Sequence, residues 1–497
     1  MELEFHGKEY ACKRISAVEV FYQEETAELI LPDSSPDVQA VLRSSASACI
    51  RDRELRAGCY AVSGGFQTGV LFSTEAGNEP GLLEGWLPFR VSLSSDAISQ
   101  DDFGTVEIRI RSVDARILNS RKILARVSYA VRLTVYAEHV LRSKIAESDD
   151  SVQLRCERTS GVFPVACAER ECHLSENIDL PAFGAEVSRI LRATPEIRIS
   201  EQSIVDGKAV IRGAFLLHLL FCLENGQVGC HDLQFPLSQF AQLEEDCKDG
   251  TARTHVFITD FSMEQDDLGW LMSASLVIQT VISKCIEIPM ITDGYCVDRD
   301  FNAEYEKIVL QEPLDAPVSV KTMECVLGDG FGKMVDCEVW LDFPTCRRSD
   351  DSISVHSAAA IGALYYDDAG KLCGETVKCE GESAFALASD ALCFADADLD
   401  MPSFAAAAVM GKRITCPVSF SARCFASREV GAMVRAELGE TTVTKDDRPS
   451  LLVRRWNGGE LWELAKECNT TVRSICSAND IGCEGAEYPS LLVIPLV

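Results

Sequence analysis

Positive charge is scarce in this sequence. Against 77 Asp and Glu it carries 47 Lys and Arg, a formal net charge of −30, which repels phosphate backbones and anionic lipid over most of the chain. Nucleic acid is therefore excluded as a main partner. No uninterrupted apolar run reaches membrane-spanning length, so no membrane span is expected. The opening Met1-Glu2-Leu3-Glu4-Phe5-His6 has neither a basic nor an apolar leader region, and the expected location is the cytosol. Among 22 cysteines no two stand in C-x-x-C spacing, which removes the local signature of zinc ribbons and thioredoxin-like redox sites. Without a secretion signal the thiols are expected to be reduced, most of them as small core residues.

Catalytic motifs are missing too. None of the seven histidines lies in H-E-x-x-H and there is no G-x-S-x-G elbow, so neither a zinc protease helix nor a hydrolase nucleophile is indicated. Gly328-Asp329-Gly330-Phe331-Gly332-Lys333-Met334 is one residue short of a phosphate loop and ends in a methionine that cannot ligate magnesium; a turn between strands is the simpler reading. Asp396, Asp398 and Asp400 alternate, but neither the turn glycine nor the closing glutamate of a calcium loop follows, which leaves a solvated acidic edge. Cys172-His173 and Cys230-His231 could hold a metal only if folding converged them. No catalytic residue, metal or cofactor is expected.

What the sequence does have is a repeat. Shifted by 149, residues 31 to 77 fall on residues 180 to 226 without a gap and 13 of 47 positions agree, where chance gives roughly three. The agreements include Leu31-Pro32 with Leu180-Pro181, Val38 with Val187, Leu42-Arg43 with Leu191-Arg192, Gly64 with Gly213 and Phe66 with Phe215. Their chemistry is that of fold determinants: glycines where strands turn, aliphatic residues on one face. Val38 and Leu42, four apart behind a proline, predict a short helix near 35 to 44, with a counterpart near 184 to 193. At the same shift two alternating runs coincide, Ile123 to Val135 and Met272 to Ile282, and each predicts a long half-buried strand.

A third, weaker copy is suggested by Leu364-Tyr365 and Gly370 and by the alternation Val430, Ala432, Val434, Ala436, Leu438. Polar stretches at Glu147-Ser148-Asp149-Asp150-Ser151 and Thr444-Lys445-Asp446-Asp447-Arg448-Pro449 are candidate linkers. The expected architecture is mainly β: tandem β-sandwich-like repeats at 1–148, 149–298 and, degenerate, 299–447, then a small βααβ domain at 449–497.

The first repeat resembles a SPOCS domain through Leu31-Pro32-Asp33, Val38, Val41-Leu42-Arg43 and Leu118-Asn119-Ser120-Arg121-Lys122-Ile123. The second keeps the Leu-Pro and Ile-Leu-Arg segments without the Asn-Ser-Arg-Lys run. Residues 450 to 497 are similar to a LysM domain: Leu452-Val453, then Leu461-Trp462-Glu463-Leu464-Ala465, Asn469-Thr470-Thr471-Val472, Asn479 and Leu492-Val493-Ile494-Pro495. Tandem SPOCS domains with a terminal LysM domain resemble the SipL-like spore-coat morphogenetic proteins of clostridia. That resemblance implies a non-enzymatic adaptor in the mother-cell cytoplasm. It would assemble at the outer forespore surface, its LysM domain binding the ATPase-type basement-layer protein of the coat.

Where LysM domains commonly carry Gly-Asp-Thr, this chain has Gly458-Gly459-Glu460, which removes side chains that the resemblance associates with glycan recognition. The expected binding surface runs from Arg454, Arg455 and Trp456 through Gly458, Gly459 and Glu460, and from Asn479 to Tyr488. Arg and Trp are favoured anchors of protein interfaces. Leu461, Trp462, Leu464 and Ile494 are assigned to the domain core. The alternative is a protein of the cortex or cell wall that binds peptidoglycan through N-acetylglucosamine.

Overall fold

The structure, a computed structural model, describes residues 2–74, 80–146, 151–180, 185–243, 247–266, 269–314, 317–386, 392–441, 450–456, 458–482 and 488–496. Both proposed linkers fall on residues outside these ranges, apart from Ser151. Strands dominate. The first six are β1 (His6–Ile30), β2 (Val38–Arg56), β3 (Cys59–Thr74), β4 (Gly81–Ser94), β5 (Phe103–Asn119) and β6 (Lys122–Ile145). The next six are β7 (Val152–Ile178), β8 (Val187–Val205), β9 (Lys208–Leu223), β10 (Val228–Gln242), β11 (Thr251–Asp266) and β12 (Gly269–Cys296). Nine follow: β13 (Arg299–Pro313), β14 (Val318–Val326), β15 (Phe331–Leu341), β16 (Thr345–Ser349), β17 (Ser352–Asp367), β18 (Leu372–Ala386), β19 (Leu392–Leu399), β20 (Ala408–Met410) and β21 (Arg413–Thr441). The chain ends in β22 (Leu451–Arg455), α1 (Leu461–Glu467), α2 (Val472–Asn479) and β23 (Leu491–Pro495).

Pairing sorts these strands into pairs of antiparallel sheets. β1-β6-β5 faces β2-β3-β4, and β11-β12-β7 faces β10-β9-β8. In the last set β13 and β14 flank β21, with β19 and β20 also on β21, while β15, β16 and β18 pair with β17. Each pair of sheets forms one unit. Strand starts recur at constant shifts, 38 and 59 in the first unit becoming 187 and 208 in the second, and 331 and 352 in the third.

The predicted long strands are present, and their inward faces are sealed. Ile123, Ala125, Val127, Tyr129, Val131, Leu133 and Val135 of β6 are buried, as are Met272, Ala274, Leu276, Ile278 and Ile282 of β12. In β21 the alternation slips at Val434, because Glu304 pairs with Arg435 but Tyr305 with Met433. Such a bulge turns Met433 inward in place of its neighbour.

Two expectations are corrected. The helices predicted near 35 to 44 and 184 to 193 are strand, belonging to β2 and β8. A spacing of four fits a strand's period of two as well as a helix's 3.6, and paired bulges between Val38 and Ala40 and between Val41 and Arg43 break the plain alternation that would have revealed it. The solvated acidic edge holds at Asp398 and Asp400, which are exposed, and fails at Asp396. Its side chain is 16% exposed and pairs with Arg132, Arg253 and Arg423, one arginine from each unit.

Each of the three units contacts the other two, so that they close into a ring. Leu42 and Leu191 meet Leu71, Leu220 and Leu364 in one buried cluster, so residues that matched by repetition meet in space. Beside it lie Arg43, Arg192 and Asp336, which hold corresponding positions in β2, β8 and β15. Arg43 of the first unit is paired with Asp336 and Glu338 of the third. Arg192 of the second donates to Ser47 Oγ of the first at 2.6 Å, and Asp336 accepts from His218 Nε2 of the second at 3.0 Å. Two edge strands, β5 and β19, are met by neighbours' side chains rather than by further strands. Gln279 of β12 accepts from Val106 N at 3.0 Å and donates to Gly104 O at 2.9 Å, and Arg198 of β8 donates to the carbonyls of Leu399, Asp400 and Met401. Leu3 N bonds Ala436 O at 3.0 Å, joining the first residues to the third unit.

Candidate functional site

The C-terminal βααβ module and the cavity between the units each bring charged or aromatic groups together across elements. The cavity has a volume of about 580 Å³ and is lined by β2, β5, β8, β11, β15 and β19. At its wall Glu107 and His255 approach to 3.1 Å. Burial pushes the Glu107 carboxyl up, but His255, Arg253, Arg132 and Arg109 outweigh it and hold the group below the usual range. Burial also holds His255 below the ordinary histidine value, against the opposing pull of Glu107. The arginines of this cluster are spent on carboxylates and on backbone carbonyls such as Ala397 O, 2.7 Å from Arg109 Nη1. It reads as a joint between units.

The module is built from short-range signals. Thr471 caps α2 by accepting from Ser474 N at 3.0 Å, and Asp480, with φ of 57°, ends it in the left-handed conformation, as cap chemistry requires. Leu461, Leu464, Ala465, Ile475, Cys476, Leu492 and Ile494 form its core, and Tyr295 and Val297 from the end of β12 complete it. The module therefore docks on the second unit.

Asp293 is the centre of that docking. Its carboxylate accepts from Trp462 Nε1 at 2.7 Å and from Lys466 Nζ at 2.7 and 2.8 Å. Burial pushes its pKa up, but these bonds and the Gly294 N–H bring it below the usual carboxylate value. Tyr295 donates to Thr470 O at 2.8 Å and stands edge-on to Trp462, centroids 5.0 Å apart. Arg155 of β7 pairs with Glu460 at 2.5 Å.

Several residues assigned to the binding surface are thus engaged. Asn479 donates to Ile475 O and Val493 O and accepts from Val493 N, so both its amide hydrogens are used in tying α2 to β23. Glu460 is held by Arg155, and Arg454 pairs with Glu467 at 2.8 Å. Trp456 and Tyr488 pack edge to face, 5.6 Å apart, against the module core. Gly458 and Gly459 have φ of 90° and 119°, conformations that favour glycine. Arg455 is exposed. Of the residues assigned to the core, Leu461, Leu464 and Ile494 are buried, and Trp462 is half-buried with its N–H given to Asp293.

Asp293, Tyr295 and Arg155 were not anticipated. They lie in long strands whose alternation marks one face as buried, and nothing local distinguishes a residue that faces another module from one that faces water. The candidate metal pairs do not assemble: Cys172 is buried in the core of the second unit, whereas Cys230 donates to Val335 O of the third at 3.3 Å. No group of three His, Cys, Asp or Glu with metal-holding geometry occurs among the described residues. No described helix is long and apolar enough to cross a membrane.

No curated protein and no solved structure matches the chain. Residues 186–265, the stretch from β8 to β11 in which Arg192, Arg198, His218 and His255 meet the neighbouring units, match the family described as SipL, SPOCS domain.

Proposed function

We propose that this protein is a non-enzymatic scaffold of spore-coat assembly. In this reading the three sheet pairs are SPOCS-like units and the C-terminal module is LysM-like, recruiting a protein partner. The observation that carries the reading is the SPOCS match over residues 186–265, in a fold whose buried charges are spent on joining the units. A scaffold needs broad, fixed surfaces, and several weak contacts held rigidly add through effective concentration. The partner is an ATPase-type protein of the coat basement layer, met at the outer forespore surface from the mother-cell cytoplasm.

Support for a protein rather than a glycan comes from the loop before α1. Sugar recognition needs oriented polar groups, and here Gly458 and Gly459 bring none while Glu460 is tied to Arg155. Deleting residues 449–497 should abolish recruitment to the forespore, read by fluorescence microscopy of a tagged chain. Normal localisation of the truncated chain would move the recruiting surface into the three units. Calorimetric titration with N-acetylglucosamine oligomers should give no saturable heat, and tight binding would transfer the module to the cortex-glycan reading.

A further inference from the structure

The two-stranded ribbon β22–β23 has one face in the module core and one face in water. Leu492 and Ile494 point inward and are fully buried. On the opposite face the register sets Leu451 beside Pro495, Val453 beside Val493 and Arg455 beside Leu491. Leu451, Val453 and Leu491 are 58%, 61% and 58% exposed, a concentration of aliphatic surface that a module this small would be expected to bury. Among the described residues β22 pairs with β23 alone, and no described strand lies on its outer row of N–H and C=O groups.

Charge adds a second, independent pointer. Arg454, on the inward-facing set, is neutralised by Glu467. Arg455, on the outward face, has no ion pair among the described residues and stands beside Leu491 on a chain of net charge −30. An isolated cation at the end of an aliphatic strip selects a partner that brings alternating apolar and acidic residues. The polar groups on and beside the two helices, by contrast, are largely occupied: Glu460 by Arg155, Trp462 and Lys466 by Asp293, and Asn479 by β23.

We infer that the outward face and free edge of β22 form the recruiting surface, and that its occupant is an extended, acidic strand of the partner protein that pairs with β22, its apolar residues covering Leu451, Val453 and Leu491 and a carboxylate meeting Arg455. This rests on the adaptor reading above and names the surface and the partner chemistry for it. It places recognition on the ribbon, away from the loops.

The test uses the full chain and a fluorescein-labelled heptapeptide of alternating valine and glutamate, followed by anisotropy. Saturable binding is expected, at least ten-fold weaker for Val453→Lys and for Arg455→Glu, with no saturable binding of the valine–lysine peptide. Both substitutions are at exposed positions, and unchanged melting temperatures establish that the variants are folded. Absent binding of the acidic peptide, equal binding by Val453→Lys, or displacement of the peptide by chitin-type oligomers would each overturn the inference. In sporulating cells the two readings separate. If Val453→Lys and Arg455→Glu localise normally while the chain truncated at 449 does not, the ribbon assignment fails and the adaptor reading stands. If the truncated chain also localises, recruitment belongs to the three units, and the module's part in the adaptor reading fails together with the ribbon assignment.

Discussion

Taking Arg43, Asp336 and Glu338 out of water is costly, and their side chains are only 7%, 2% and 5% exposed. Such a group is tolerated only while every member has its partner, since removing one leaves the others as buried, uncompensated charges. Arg43→Met should therefore destabilise the protein by about 3–5 kcal/mol, measured as a shift in urea midpoint at constant slope. Lys307→Met, which removes an ion pair whose partners are 79% and 60% exposed, should change it by less than about 1 kcal/mol. His255 gives a pH signature. Its folded value lies below the unfolded one, so the unfolded chain takes up a proton first and stability is lost as pH falls from about 6.5 toward the folded value. Around the imidazole stand Glu107 from β5, Arg132 from β6, Arg253 from β11 and Asp396 from β19. The urea midpoint should fall between pH 7 and pH 5.5, and His255→Gln should flatten that slope; an unchanged slope would assign the acid sensitivity to another group.

Between elements, the repeated glycines Gly64 and Gly213, expected where strands turn, lie instead inside β3 and β9. Ile50 pairs with Gly64 and Asp52 with Ser63, and Ile199 pairs with Gly213 and Glu201 with Arg212, so each glycine lies opposite a bulge. A Cβ at Gly64 would stand 2.1 Å from Cys49 O, and one at Gly213 would stand 2.0 Å from Arg198 O. Both contacts are with backbone, which cannot swing aside. Gly64→Ala and Gly213→Ala should each cost about 1–3 kcal/mol, while alanine at Gly7, where nothing lies within 4 Å, should cost little; differential scanning calorimetry distinguishes them. The period-two runs of β6 and β12 were legible because one face of each is sealed, whereas β2 and β8 were misread because bulges erase their alternation. The network between the units was visible only as the matched pair Arg43 and Arg192. Its third member is Asp336, opposite in sign, so identity scoring passed over the position where the ring depends most on difference. For the module, cap and core signals are local and were readable, but the Asp293 contact joins positions 169 and 173 residues apart and leaves no trace in either neighbourhood.

At the scale of the whole molecule, docking of the module couples two cores. Deleting residues 449–497 uncovers Tyr295 and Val297, which are 5% and 3% exposed in the intact chain, and leaves Asp293 without its two donors. The three units should still fold, because their cores and the clusters that join them lie outside the module, but with a lower melting temperature. Asp293→Ala in the full chain should undock the module, increasing solvent quenching of Trp462 fluorescence while far-ultraviolet dichroism stays unchanged. The clasp also determines how the molecule carries load. The chain enters the module only after β21, yet Asp293 and Tyr295 hold it to the end of β12. Tension applied to the module would therefore be divided between a covalent tether to the third unit and a non-covalent anchor on the second. While the anchor holds, a pull on β22 would pass into two units at once; once it slips, the third unit alone would take the load. The clasp would thus act as a mechanical fuse between the module and the ring.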